Sequence, residues 1–295
     1  MRVKRRSWAR AVTSVVAAAG LAGGVQVVAA VPAEAAIGPI QVIAGPMSAT
    51  NSEPTRSASA NCPPGTQIIS GGGWVFVNGR GADADSVVLS QMQPVHPPSG
   101  QDSFVVLGQE MAPGTSSTWW VQAFAVCGQV PGLHVVVGRT QGSQPEQKAV
   151  AQCAANERVL GVGGNLVNPV GKVTLTAVTP LTATSAQAVA DEDATGLNSN
   201  WQLEAYAVCA PTPAGYQIVA KPSSSTANSD PEQVAFVNCL LGTRALGVAA
   251  VELSPRPGTG LQVVFPGSPL EVVAVESTPT SLLWGPTLAQ GICAT

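Results

Sequence analysis

The sequence is short of the side chains that usually carry out acid–base and nucleophilic chemistry. Only two histidines occur in 295 residues, and no G-x-S-x-G motif is present, so the sequence offers no serine-hydrolase arrangement. We expect His96, in the turn PVHPPSG, to be a loop residue and His134, in GLHVVV, to face solvent from a strand. Because no cysteine has a second ligand close to it in sequence, we also expect no metal site and no cofactor.

Charged residues are also scarce, at 11% of the chain. Without the first 36 residues, nine basic and sixteen acidic residues remain, which gives a formal net charge of −7. The nine Lys and Arg are scattered singly. A surface for nucleic acid or anionic membrane requires clustered Lys and Arg, so the sequence argues against both kinds of partner.

The one long apolar run lies at the N-terminus. The basic start MRVKRRSWAR is followed by an apolar stretch of small residues and then by PAEAA. This is the layout of a secretory signal peptide, and we expect residues 1–36 to be removed on export. The pair Arg5-Arg6 leaves the twin-arginine route open beside the general one. No later segment is apolar for long enough to form a spanning helix, so we expect a secreted protein without a membrane span.

No long segment shows the periodicity of an amphipathic helix. The chain is instead rich in Val, Ala, Gly, Pro, Ser and Thr. These residues form short runs such as VVVGRT and WQLEAYAVC between turn-forming sequences such as HPPSGQD and APGTSS. Such runs are typical of strands, so the pattern predicts an all-β fold of short antiparallel strands.

Three segments of the chain align without a gap: CPPGTQIISGGG from Cys62, CAANERVLGVGG from Cys153 and CLLGTRALGVAA from Cys239. A second cysteine closes each unit. The sequence therefore predicts a three-fold internal repeat, with units at 37–131, 132–213 and 214–295. We expect one compact body, β-prism-like, with one sheet per unit facing a common core. Three small tandem β-domains are the alternative.

The glycines after each first cysteine have two possible roles, in phosphate binding or in packing. A phosphate-binding loop needs its glycines and a following GK[ST] sequence. The third unit has Ala249-Ala250 in place of two glycines, and no copy is followed by that sequence. We therefore predict a structural role, either close packing around a shared axis or a β-bulge.

Six cysteines in an exported chain predict three disulfides. The repeat symmetry favours two arrangements. Pairing within units gives Cys62–Cys127, Cys153–Cys209 and Cys239–Cys293. Pairing across units gives Cys127–Cys153, Cys209–Cys239 and Cys62–Cys293, which would close a ring. We expect the first arrangement, because each unit then joins its own first and last strands.

The pattern C-x-x-G, a glycine pair and then W-x-x-x-A-[YF]-A-V-C resembles a repeat of secreted actinobacterial proteins of unassigned function. The resemblance runs from Cys62 to Cys293 and is weakest in the third unit, where LAQGIC replaces the AYAVC ending. In layout the chain is also similar to vitelline membrane outer-layer proteins, which have three Greek-key sheets in a prism. This resemblance implies an extracellular coat or glycan-associated role and transfers no catalytic residue.

Aromatic residues make up only 4% of the chain, and the tryptophans among them are the candidate ligand platform. Indole rings can stack on sugars while one end of the ring stays in water. Trp119 and Trp120 are adjacent in a strand and face opposite sides, so we expect one in the core and Trp120 near the surface. Trp201 and Trp284 are expected in the core. We assign Trp74 and Trp120 as candidate ligand-binding residues.

Three functional classes remain after these exclusions. The first, which we favour, is a non-catalytic extracellular or cell-envelope protein that binds a glycan or cell-wall polysaccharide. The second is a structural coat component. The third is a glycoside hydrolase that uses carboxylates of GADADS or DEDATG: Asp83, Asp85, Asp191, Glu192 and Asp193. We expect these five acids to be solvated turn residues instead. Equivalent surfaces lined by Trp or Asn would favour binding, and two carboxylates converging in one cleft would favour hydrolysis.

Overall fold

The fold is described by a computed structural model for residues 37–79, 85–167, 171–197, 199–224, 226–276 and 281–295. The predicted signal peptide and Asp83 lie outside these residues. Eighteen strands and no α-helix occur in the described part of the chain, so the all-β prediction is confirmed. Within the same residues, no helix is long and apolar enough to cross a membrane.

Six strands fall in each repeat. In chain order they are β1 (Gln41–Ala44), β2 (Thr55–Asn61), β3 (Gln67–Val77), β4 (Val87–Val95), β5 (Ser103–Glu110), β6 (Trp119–Gly128), β7 (His134–Gly142), β8 (Glu146–Gln152), β9 (Glu157–Val167), β10 (Val173–Thr182), β11 (Ser185–Glu192), β12 (Trp201–Pro211), β13 (Gln217–Pro222), β14 (Glu232–Val237), β15 (Arg244–Glu252), β16 (Thr259–Phe265), β17 (Leu270–Glu276) and β18 (Thr287–Ala294).

The strands form three six-stranded antiparallel sheets, and each sheet is shared between two repeats. Sheet I has the order β1-β6-β3-β16-β17-β14, sheet II β7-β12-β9-β4-β5-β2 and sheet III β13-β18-β15-β10-β11-β8. Every repeat therefore places its first, third and sixth strands in one sheet and its other three in a second. The three-fold, prism-like prediction is confirmed, but the expectation of one sheet per unit was wrong. Tandem domains are excluded, because no repeat holds a complete sheet.

The two halves of each sheet meet at a seam beside the glycine block. The residues paired there are Gly73 with Val264, Gly164 with Met92 and Ala250 with Val178. A Cβ on Gly72 would overlap the carbonyl oxygen of Val264, so this position of the seam requires glycine. The glycines that follow the first cysteines thus allow two repeats to approach each other closely.

The glycine block also begins with a bulge that faces a shared axis. In each repeat one residue is left unpaired in the register, and these residues are the fully buried Ile69, Leu160 and Leu246. The next residue in each repeat is Ser70, Gly161 or Gly247. A Cβ on Gly161 would overlap the Ile69 carbonyl oxygen, and one on Gly247 would lie 2.8 Å from the Ser70 Oγ. Both predicted structural roles, axial packing and a bulge, are therefore found together.

Three disulfides hold the repeats, in the within-unit pairing: Cys62–Cys127, Cys153–Cys209 and Cys239–Cys293. The first cysteine of each pair follows a strand of one sheet, and the second lies in a strand of another sheet. Each disulfide therefore ties together the two sheets to which its repeat contributes. Disulfides of this kind are typical of extracellular proteins.

One tryptophan of each repeat is buried at, or just before, the start of the last strand of that repeat. The second cysteine of the repeat lies near the end of the same strand. Trp119, Trp201 and Trp284 are the largest fully buried side chains. The indole N–H of Trp119 donates to Glu110 at 3.0 Å, and that of Trp201 donates to Glu192 at 2.9 Å. In the third repeat, Trp284 donates instead to the carbonyl oxygen of Asp230 at 2.8 Å. The core position expected for Trp201 and Trp284 is confirmed. Glu192 is the hydrogen-bond acceptor of Trp201 and so has a structural role.

Candidate aromatic binding face

Sheet I presents a row of aromatic rings on its outer side. In β3 the side chains alternate, so that Val75 is buried in the core while Trp74 and Phe76 point outward and are half-buried. In β6 the same alternation buries Trp119 and turns Trp120 outward. The two tryptophans predicted as ligand-binding residues therefore lie on one face of one sheet.

The rings of this row stack on one another. Trp120 and Phe76 are cross-strand partners with ring centroids 3.8 Å apart and planes 18° apart. Phe76 in turn stacks on Trp74 at 4.6 Å, also at 18°. Trp74 meets Phe265 at 5.5 Å in a tilted arrangement. We call these four residues, Trp120, Phe76, Trp74 and Phe265, the aromatic row.

Stacking decides which ring surfaces a ligand can use. Phe76 has a ring on each side, and Trp74 lies between Phe76 and Phe265. Trp120 ends the row, and among the described residues no second ring stacks on its other face. The indole of Trp120 is therefore the surface on which a flat apolar face of a ligand can stack.

The aromatic row crosses the seam between the first and third repeats. Phe265 comes from β16 of the third repeat, and its ring meets Phe124 of the first repeat edge-on at 4.8 Å. A Cβ on Gly267 would overlap the Phe265 ring, so the following turn also packs on it. Neither repeat contains the site alone, and the sequence spacing of Trp74 and Phe265 gave no sign that they meet.

Carboxylates flank the aromatic row on the side of β14. Glu271 is the cross-strand partner of both Phe265 and Phe236 and so lies between the two rings. Burial, with the charge of Glu232, raises the pKa of Glu271 above its ordinary value. The same two causes raise the pKa of Asp85 to about 6. Asp85, predicted as a solvated turn acid, is in fact mostly buried at this margin.

The equivalent face of sheet II is polar. Glu204 accepts hydrogen bonds from Arg139 at 2.8 Å, from Asn165 at 3.0 Å and from the Tyr206 hydroxyl. Burial alone would raise the pKa of Glu204, but these hydrogen bonds bring it below its ordinary value. Asn165 and Gln202 occupy the positions of Trp74 and Trp120 in the repeat, so the faces are equivalent in backbone but not in chemistry.

Sheet III carries two neighbouring carboxylates on its outer side. Asp191 and Glu146 are cross-strand partners, and Glu146 and Thr176 line a cleft of about 190 Å³. Burial and the charge of Glu146 raise the pKa of Asp191, although Thr176 donates to it at 2.6 Å. Glu146 also pairs with Lys148 at 2.8 Å. Neighbouring carboxyl groups are one requirement of a glycoside hydrolase, but of this pair only Glu146 is among the residues that line the cleft.

The other acids of DEDATG have structural partners. Glu192 binds the buried indole of Trp201, as described above. Asp193 accepts from the backbone N–H groups of Thr195 and Gly196 at 2.8 and 3.0 Å, and so closes a turn. The prediction that these are solvated turn acids holds for Asp193 and is wrong for Glu192, which is buried, and for Asp191, which is half-buried in strand β11.

The two histidines have ordinary structural positions. His96 lies in the loop after β4, and its Nδ1 is 2.7 Å from Asp102, which also accepts from the N–H of Ile68. His134 begins β7, is partly exposed and lies 3.6 Å from Glu157. Cys209 is near this pair, but its sulfur is bound to Cys153 and cannot act as a thiolate ligand.

Comparison with known proteins gives no further guide to the site. The chain matches no model of a known protein family, and no curated protein is similar to it at the level of sequence.

Proposed function

We propose that this is a secreted, non-catalytic protein that binds an extracellular or cell-wall glycan on the outer face of sheet I. The observation that carries the proposal is the indole of Trp120, which is half-buried at the end of the aromatic row and has no second ring stacked on its other face among the described residues. A sugar ring has an apolar face of C–H groups, which packs on such a surface while its hydroxyls stay in water. The three disulfides and the predicted signal peptide support export.

The aromatic row prepares the site before a ligand arrives. Phe76 and Trp74 hold Trp120 in place by stacking, so little side-chain freedom remains to be lost on binding. Gln122 lies in the same outward row of β6, two residues from Trp120 and across from Trp74, and its amide is fixed on the Gly45 carbonyl oxygen at 2.9 Å. The side chains of the aromatic row are therefore held in place before binding, as suits recognition of an extended polymer.

The test is a binding screen of the oxidised protein against a panel of soluble and insoluble glycans, followed by calorimetry. Trp120→Ala should abolish binding. The matched control is Gln202→Ala, which alters the equivalent position on sheet II and should leave binding unchanged. If no member of the panel binds, or if Trp120→Ala binds as well as the unaltered chain, the proposal is wrong.

The carboxylate pair on sheet III supports a second candidate, a glycoside hydrolase. Such enzymes use one protonated and one ionised carboxyl group, and burial holds the pKa of Asp191 above the usual range beside Glu146. This candidate predicts release of reducing ends from a polysaccharide, lost in both Asp191→Asn and Glu146→Gln. The structural coat candidate instead predicts self-assembly without a ligand, which sedimentation at rising protein concentration would reveal.

A further inference from the structure

Resting on the proposed function, we infer that the glycan bound by sheet I carries free amino groups, as a polymer of glucosamine does. The inference comes from the charges around the aromatic row rather than from the rings themselves. A neutral sugar needs only a ring to stack on and hydrogen-bonding groups around it. The charged residues of this face point to a cationic ligand.

The strands of sheet I carry acidic residues and no basic one. Their sequences, QVIA, WWVQAFAVCG, QIISGGGWVFV, TGLQVVF, LEVVAVE and EQVAFV, contain Glu232, Glu271 and Glu276 but neither Lys nor Arg. The other two sheets are mixed in charge. Sheet II has Arg56, Arg139 and Arg158 in its strands, and sheet III has Lys148, Lys221 and Arg244. The face with the rings is thus the one whose strands provide no cation of their own.

One of these acids, Glu271, lies beside the rings of the outer face of sheet I. Glu271 is flanked by Phe265 and Phe236 in the register, and Phe236 is 43% exposed. Glu232 is exposed on the same edge strand as Phe236, whereas Asp85 is buried. The charge of Glu232 acts on both Glu271 and Asp85. Ammonium groups of a ligand would neutralise this repulsion, and a neutral or acidic glycan would not.

The indole of Trp120 adds to the same preference. A cation near the face of a tryptophan is attracted by the negative charge of the ring face. Trp120 and Glu271 are on β6 and β17, three strand spacings or about 14 Å apart across the sheet. The register also offsets them along the strands, because Trp120 pairs with Phe76 whereas Glu271 and Phe265 lie level with Gly72. A ligand that contacts both is therefore an oligosaccharide and not a single sugar.

The experiment compares three oligosaccharides of equal length by calorimetry slightly below neutral pH: a β-1,4 glucosamine oligomer, its fully N-acetylated form and the corresponding glucose oligomer. The glucosamine oligomer should bind most tightly, and added salt should weaken it most. Glu271→Gln should weaken glucosamine binding about two- to fivefold and leave the glucose oligomer unaffected. Glu157→Gln, which removes one acidic charge from β9 of sheet II, is the matched control and should have no effect.

The outcomes separate this inference from the proposed function. Equal or tighter binding of the N-acetylated or glucose oligomer, still lost in Trp120→Ala, overturns the amino-sugar inference and retains glycan binding. Glucosamine binding that is unchanged in Glu271→Gln and insensitive to salt also overturns it. If none of the three oligomers binds and the wider panel is also negative, both proposals fail.

Discussion

Glu252 in the third repeat occupies the inward-facing position that Val75 occupies in the first. Thirteen residues separate each of them from the first cysteine of its repeat, and both are 3% exposed. The second repeat has Leu166 there. Neither carboxyl oxygen of Glu252 makes a hydrogen bond, and the buried hydroxyl of its cross-strand partner Thr287 also has none. One sector of an otherwise apolar core layer is therefore polar and unsatisfied.

Replacing Glu252 with valine should stabilise the protein, most strongly at neutral and alkaline pH. Burial raises the pKa of Glu252 well above its ordinary value. The nearby Thr259 hydroxyl does little to oppose this, because it donates to the carbonyl oxygen of Arg256 at 3.0 Å. The contribution of Glu252 to the stability of the natural chain is therefore fully present below the ordinary pKa of glutamate. It is lost as pH rises through the folded-state pKa. Removing the buried polar group should add about 1–3 kcal/mol to the free energy of unfolding.

Denaturant unfolding of the two chains across the acidic to alkaline range measures this difference. The gap between Glu252→Val and the natural chain should widen with rising pH. Leu253→Ala, at the exposed neighbouring position, serves as the control and should change stability by less than about 0.5 kcal/mol at every pH. A variant less stable than the natural chain at neutral pH would show that Glu252 has a stabilising partner.

Loss of one disulfide should weaken the whole body and not one third of it. Each disulfide closes a loop of 54 to 65 residues, for which chain entropy predicts about 4 kcal/mol. Because every sheet is shared, the double change Cys153→Ala with Cys209→Ala should leave a single calorimetric transition at lower temperature. Two resolved transitions would mean that the repeats unfold separately.

A methyl group at the seam should be poorly tolerated. Gly72→Ala places a Cβ against the Val264 carbonyl oxygen, so β3 and β16 must separate, at a cost of about 1–3 kcal/mol. Gly142→Ala is the control, since the nearest atom to its added Cβ lies 3.9 Å away. Equal stability of the two variants in denaturant unfolding would refute the close seam.

The adjacent tryptophans should differ sharply in their effect on stability. Trp119→Ala empties a fully buried site and leaves Glu110 without its indole donor, which should cost about 3–5 kcal/mol. Trp120→Ala removes one stacking partner from the surface and should cost about 0.5–1.5 kcal/mol. Thermal unfolding compares them directly, and similar losses would contradict the inward and outward assignment.

The sequence predicts most of the local arrangement and little of the pairing between distant strands. The aligned cysteines indicated the repeat and the disulfides, and strand alternation indicated that Trp119 and Trp120 point to opposite sides. Alternation determines which face of a strand a side chain occupies, but not which strand lies beside it. The sharing of each sheet between two repeats could therefore not be predicted. For the same reason Phe265 and Glu271, far along the chain from Trp74, were not recognised as part of its site.

The seams also determine how many repeats the molecule can have. In an open array each added unit stacks on the last one, and the two ends require special capping units. Here the first repeat completes its sheet with strands of the third, so no end is left to cap. The positions Ser70, Gly161 and Gly247 leave room for three backbones around the axis. A fourth unit would change the angle between neighbouring repeats at every seam. We therefore expect insertion of an extra repeat to break the closed arrangement of three repeats and not to enlarge it.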